Sequence, residues 1–299
     1  MRLFVYKFFS LVLLVVGLSF SACSDDTDTN TESSDTLVTT TPPTVLGGYG
    51  PTYKEINSMD EAALALDALN IDAKVPFAKA VSDSINEELI NDLLVPDVVV
   101  SNETLSCEEG GSLTQSIDTK SSYKNVDKDY SDCFLDGKTR DGKISASWPS
   151  YGFAYVNATD YSNSDITYVG AVSLKYYILD DENSYDFNIS FGVITTPQEQ
   201  DTLDYSDFQF SNVNGLSLNG TFEKKDSNCQ DGYYLVETLE PITFYGYDDT
   251  EKKGKIIIND VTYQFNDDST ISVTINGETT TLYQEYFSAT CPEDPYYKK

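Results

Sequence analysis

The chain contains no histidine. That removes Ser-His-Asp and Cys-His nucleophilic machinery and every histidine-ligated metal site. It also removes the commonest general acid–base near neutral pH. Cations are scarce too: 19 lysines and arginines stand against 49 acids, a net charge of −30 over 299 residues. A field of that sign repels nucleic acid and anionic lipid headgroups, so no nucleic-acid partner is expected. There is no Cys-x-x-Cys pair, no Rossmann or P-loop glycine pattern and no obvious internal repeat. Zinc, thioredoxin-like and nucleotide chemistry therefore have no motif to stand on. Trp148 is the only tryptophan, against 22 tyrosines. No apolar run reaches the roughly 20 residues that a membrane-spanning helix needs.

One shorter apolar run is present. Arg2 and Lys7 precede it, Phe8 to Leu18 form it, and Phe20-Ser21-Ala22-Cys23 close it. A positive start, a short apolar stretch and a small-residue cleavage site define a secretory signal. The closing residues resemble the lipobox of bacterial lipoproteins, with Phe20 where that family usually has Leu. The resemblance implies cleavage after Ala22, lipidation of Cys23 and membrane attachment without a span. Acyl chains on Cys23 would hold the protein almost permanently, since each buried CH₂ contributes about 0.8 kcal/mol. Ser24 replaces the Asp that retains enterobacterial lipoproteins at the inner membrane, which favours the outer membrane. Ser24-Asp25-Asp26 is also similar to the acidic export signal of surface lipoproteins in the Bacteroidota.

Residues 1–22 are thus read as a signal peptide and 23–51 as a lipidated, disordered acidic tether. The tether is rich in Ser, Thr, Asp and Pro and cannot bury enough apolar surface to order itself. As a flexible coil it would average about 30 Å end to end.

Removing Cys23 from the five cysteines leaves Cys107, Cys133, Cys229 and Cys291. An even number in an exported chain implies disulfides. Three pairings exist, and the sequential one, Cys107–Cys133 with Cys229–Cys291, is expected. Loop closure would contribute roughly 3.5 and 4.3 kcal/mol in the chain-entropy model.

Residues 52–96 read as a helical segment. Ser58 and Glu61 form a capping box. Pro76 suits the first turn of a second helix. Phe77, Val81, Ile85, Leu89 and Leu93 recur every four residues as one apolar stripe, and Val95-Pro96 ends it.

Residues 97–299 read as an antiparallel β domain of a dozen or more strands. Tyr168, Gly170, Val172, Leu174, Tyr176 and Ile178 alternate along one long strand. Tyr185, Phe187, Ile189, Phe191 and Val193 alternate along the next. Asn259-Asp260, Asn266 to Ser269 and Asn276-Gly277 mark three hairpins, the last leading into a strand Thr279–Phe287. The expected fold is mainly β (α+β): a large antiparallel meander forming a curved sheet, sandwich or half-barrel with the N-terminal helices packed on it. The acidic load and the N-terminal helices set it apart from an outer-membrane barrel.

Two cysteine-bounded segments extend the resemblance. Cys107-Glu108-Glu109-Gly110-Gly111-Ser112 with Cys133, and Asn228-Cys229 with Cys291, are similar to patterns in exported bacterial lipoproteins of unknown function. Those motifs imply a β scaffold and no activity. No cofactor is expected. Calcium is the cation the acidic turns Asp180-Asp181-Glu182 and Asp267-Asp268 would suit. Asp127 to Asp132 begins like an EF-hand loop but has Asp132 where glycine is required.

The leading functional expectation is a non-catalytic, lipid-anchored envelope lipoprotein acting as a scaffold or binding module. Its partners would be the membrane, through the anchor, and an envelope or extracellular ligand. Two alternatives stand beside it. A lipid or lipopeptide carrier would need an apolar cavity lined by residues such as Tyr168, Val172, Phe187 and Phe191. A carbohydrate-active protein would use a carboxylate pair, with tyrosines stacking on sugars.

Overall fold

In the computed structural model, Ser58 accepts a hydrogen bond from the Glu61 N–H at 3.3 Å and starts the helical segment. The Glu61 carboxylate reaches back to the N–H of Asn57 at 2.8 Å. The structure describes residues 51–150, 152–197, 203–225, 229–245 and 251–287. The signal and tether, with Cys23, lie outside these, as does Cys291. Helix α1 (Met59–Leu69) ends where Asn70 turns left-handed, and α2 (Ile71–Ile85) follows at once. A π-helical turn, Asn86–Ile90, leads into the last turn, α3 (Asn91–Leu94). Pro76 therefore lies inside α2 and not in its first turn. The left-handed Asn70 lets the new helix begin five residues earlier than the proline would suggest, so one internal hydrogen bond is forgone there.

Fourteen strands follow: β1 (Val99–Ser106), β2 (Ser112–Asp118), β3 (Lys124–Leu135), β4 (Lys138–Ser150), β5 (Phe153–Ser162), β6 (Thr167–Tyr177) and β7 (Asp186–Thr195). They continue as β8 (Leu203–Ser211), β9 (Ser217–Lys224), β10 (Gly232–Tyr245), β11 (Glu251–Ile258), β12 (Val261–Phe265), β13 (Thr270–Ile275) and β14 (Glu278–Tyr283). Each pairs antiparallel with the next, in one curved sheet ordered β1 to β14, and β1 does not pair with β14. The sheet is an open meander rather than a sandwich or closed barrel. The Asn259-Asp260 and Asn276-Gly277 turns sit where expected, with positive φ at all four residues as a type I′ hairpin demands. The last strand stops at Tyr283, and Gln284–Tyr286 forms a short 3₁₀ turn in place of the expected continuation to Phe287.

One face of the sheet lies against the helical segment. Phe77, Val81, Ile85, Leu89 and Leu93 are all buried at 0–1% exposure. Four residues overshoot one α-helical turn by about 40°, so a strict four-residue stripe drifts around the cylinder. The wider π turn at Asn86–Ile90 takes up part of that drift and keeps Leu89 and Leu93 on the sheet. Opposite them runs an aromatic series across β7 to β10. Phe187 stacks on Phe210 at 5.2 Å, and Phe222 stacks on Tyr234 at 5.0 Å. Phe208 lies between, against Tyr205 and Phe222.

Two expected alternations break. The β6–β7 register shifts between Ser173 and Leu174, which pair with Phe191 and Ile189 and leave Ser190 as an extra residue. A one-residue bulge flips every later side chain to the other face. Ile194 is consequently buried in place of Val193, and Phe191 is 51% exposed. On β6, Gly170 is exposed at φ +74°, with its N–H bonded to the Asp160 carboxylate at 2.8 Å.

A buried ion pair fixes the helix against β3 and β4. Arg140 Nε donates to Glu88 Oε1 at 2.6 Å, and both side chains are at least 96% buried. Arg140 also reaches the Leu135 carbonyl at 2.6 Å, and Tyr130 donates to the other Glu88 oxygen at 2.7 Å. Removing one partner from such a pair leaves an uncompensated charge in the interior. Glu88→Ala is expected to cost about 3–5 kcal/mol in urea unfolding. Lys79→Ala, which breaks the exposed Lys79–Asp83 pair, should cost about 0.3–0.5 kcal/mol. Equal losses in the two variants would show that the buried pair is not formed.

Candidate binding surface

The helix occupies one face of the sheet, so the residues that alternate with the core point the other way. On the first two and last two strands several of these are small polar side chains bonded to one another. Thr104 bonds Thr114 at 3.1 Å, Ser272 bonds Thr281 at 2.7 Å, and Thr274 bonds Thr279 at 2.8 Å.

Strands β5 and β6 differ. On β5 Phe153 and Tyr155 flank the buried Ala154, and on β6 Lys175 and Tyr177 flank the buried Tyr176. Phe153 meets Tyr155 edge-on at 5.3 Å and lies 6.4 Å from Tyr177. Tyr155 is 43% exposed. The Lys175 ammonium sits 4.5 Å from the Phe153 ring centre and 5.0 Å from that of Tyr177. The Tyr177 hydroxyl pushes the Lys175 pKa up. No carboxylate pairs with Lys175 among the described residues.

The same face continues across β7 and β8. Tyr155 pairs with Lys175, Lys175 with Asn188, and Asn188 with Gln209, so four side chains form one row across four strands. Strands lie about 4.8 Å apart, which makes the row about 14 Å long. The side-chain amides of Asn188 and Gln209 make no hydrogen bond among the described residues. Asp186, two residues before Asn188 and on the same face, has a buried Oδ1 with no hydrogen-bond partner. Burial alone pushes its carboxyl pKa above the ordinary 3.8. Chemically, the surface offers apolar ring faces, one ammonium and two free amides, with the unsatisfied Asp186 oxygen buried beneath it.

The other singled-out residues have structural roles. Cys107 and Cys133 form a disulfide with Cα atoms 5.4 Å apart, as expected, and Glu108 N–H bonds the Phe134 carbonyl at 2.9 Å beside it. Cys229 is disulfide-bonded, and its expected partner Cys291 lies outside the described residues. Two of the acids named for calcium serve their own turns. Asp181 accepts from the Asn183 N–H and the Ser184 hydroxyl, and Asp268 from the Thr270 N–H. Asp267 pairs with Lys253, and Asp129 with Lys143. No group of three metal-ligating side chains occurs among the described residues.

Tyr168, Val172 and Phe187, named as lining a carrier cavity, are 0–1% exposed, which leaves no water-sized space against them. Phe191, the fourth, is on the opposite face. Phe153, Lys175, Tyr177, Asp186, Asn188 and Gln209 were not singled out from sequence. Their signal was phase: aromatic side chains on the positions that alternate with an Ala-Val-Ala core face.

No protein-family model, no curated protein and no solved structure matches this chain.

The Asp186 shift has a pH signature. A carboxyl whose folded pKa is raised destabilises the fold at pH above that pKa, where it is charged in both states. Below 3.8 it is protonated in both states and the penalty is absent. Asp186→Asn should therefore raise Tm at pH 7, and the gain should vanish as pH falls through 3.8. An equal gain at pH 3 and pH 7 would show that the carboxyl is not desolvated.

Proposed function

We propose that the protein is a lipid-anchored lipoprotein of the cell envelope whose folded domain is a non-catalytic binding module. The observation that carries this reading is the outer face of β5–β8, where rings, an ammonium and uncommitted amides share a surface the core does not use. Aromatic side chains and a lysine exposed together, beside polar groups lacking partners, suit recognition better than stability. The anchored part of the reading is supported by the charged start, short apolar run and Ser21-Ala22-Cys23. No helix among the described residues is long and apolar enough to cross a membrane. The acidic segment 24–51 would then hold the module about 30 Å from the lipid, clear of the headgroups that its charge repels. An outer-membrane location follows from Ser24 at the position after the lipidated cysteine.

The packed side chains at Tyr168, Val172 and Phe187 give the carrier alternative no support.

The anchor is tested by fractionation of cells expressing the full chain. The wild type should pellet with membranes, and Cys23→Ala should move to the soluble fraction. A Cys23→Ala chain that still pellets after a high-salt wash would overturn the lipid anchor.

A further inference from the structure

We infer that the outer face of β5–β8 binds a neutral polysaccharide, its sugar rings seated along the row from Tyr155 to Gln209. The inference rests on the reading of the domain as a binding module and names its ligand class.

A pyranose ring has two kinds of surface: apolar C–H faces and a rim of hydroxyls that both donate and accept hydrogen bonds. The row provides for each in sequence. Tyr155, 43% exposed and propped edge-on by Phe153, is an aromatic face held at a fixed tilt, as a stacking platform requires. Next along the ladder come Lys175, a donor, then the amides of Asn188 and Gln209, each able to donate and accept. Neither amide is used by the fold.

Asp186 leaves a polar deficit beneath the same face. Its Oδ1 is buried and unpaired, although buried polar atoms are nearly always satisfied.

The charge of the chain selects among polysaccharides. At −30, the protein repels uronate- or sulfate-bearing polymers at long range, and the lone Lys175 cannot offset that field. A neutral chain pays no such penalty. A protein partner is less well matched, because interface cores are dominated by contiguous apolar anchors. Here the rings occupy one end of a row whose other end is amide.

Affinity electrophoresis tests the proposal, with full-length Cys23→Ala protein run in native gels containing glucomannan, xyloglucan or dextran, and in gels containing alginate. Retardation by at least one neutral polymer and not by alginate is the expected result. Tyr155→Ala should weaken that retardation about tenfold, the scale of losing an aromatic anchor. Asn188→Ala should weaken it several-fold. Tyr283→Ala, removing a still more exposed tyrosine on the distant edge strand β14, should leave it unchanged. All variants are compared by thermal unfolding, so that a misfolded chain is not scored as a lost site. Three outcomes would overturn the proposal: no retardation of the parent by any neutral polymer, stronger retardation by alginate, or equal retardation of parent, Tyr155→Ala and Asn188→Ala. None of them bears on the anchor, which fractionation reads separately.

Discussion

Tyrosine hydroxyls reaching from the sheet to the helix hold the two layers in a single arrangement. Tyr130 donates to Glu88, Tyr176 bonds Ser82 at 3.0 Å, and Tyr263 donates to the Ala62 carbonyl at 2.9 Å. Lys74 donates to Tyr205 at 3.2 Å. These four strands, β3, β6, β8 and β12, are spread across most of the sheet. Leucines alone could fill the same volume, but apolar packing is non-directional and would let a lone helix slide or rotate over so wide a surface. A tyrosine spans the apolar layer with its ring and ends in a bond of fixed length and direction. The 22 tyrosines and single tryptophan of the composition acquire a physical meaning here.

The Glu88–Arg140 pair belongs to the same device. Two charges removed from water roughly cancel the attraction between them, so the pair contributes little net stability compared with a well-packed apolar replacement. Its geometry is another matter. Glu88 is at once the acceptor for Tyr130 and for Arg140, and Arg140 in turn holds the Leu135 carbonyl and approaches Glu87 at 3.4 Å. The π turn presents Glu87 and Glu88 side by side to β4, where Lys138 joins Glu87 at 2.7 Å. Nearby, the Cys107–Cys133 disulfide ties the β1–β2 turn to β3. The end of the helix and the first strands of the meander are thereby fixed together.

What was legible in the sequence was local. Ser58 with Glu61, the four-residue stripe and the Asn-Asp and Asn-Gly turns each carry their chemistry within a few residues, and the structure has them all. The meander followed from those turns. What was not legible depends on partners distant in the chain. A bulge at Ser190 is a mismatch between β6 and β7, and no residue of β7 alone announces that Phe191 and Val193 change face. Pro76 reads as a helix start until the left-handed Asn70 is known. The outer surface was illegible for a related reason. Alternation says that Phe153 and Tyr155 face opposite to Ala154, but not which of the two faces the helix will cover. The larger side chains suggest the core, and the structure assigns the smaller ones to it. The small Ala154, Val156 and Ala158 of β5 are the ones buried in the core.

That choice decides where a ligand could bind. The helix uses up one face of the sheet, with no water-sized space against Tyr168, Val172 or Phe187. The two edges are poor templates. β1 is interrupted by a register shift between Val100 and Glu103 with Asn102 left-handed, a device that discourages strand addition. β14 is short and its threonines are already bonded to β13. The outer face remains, and toward the two ends of the sheet its threonines and serines are bonded to one another. On β5 and β6 the face carries a cluster of rings, Phe153, Tyr155 and Tyr177, and beside them the amides of Asn188 and Gln209 go unpaired. Burying the small side chains of β5 and exposing the large ones is therefore one structural decision with two consequences: a close-packed core on one side and a recognition surface on the other.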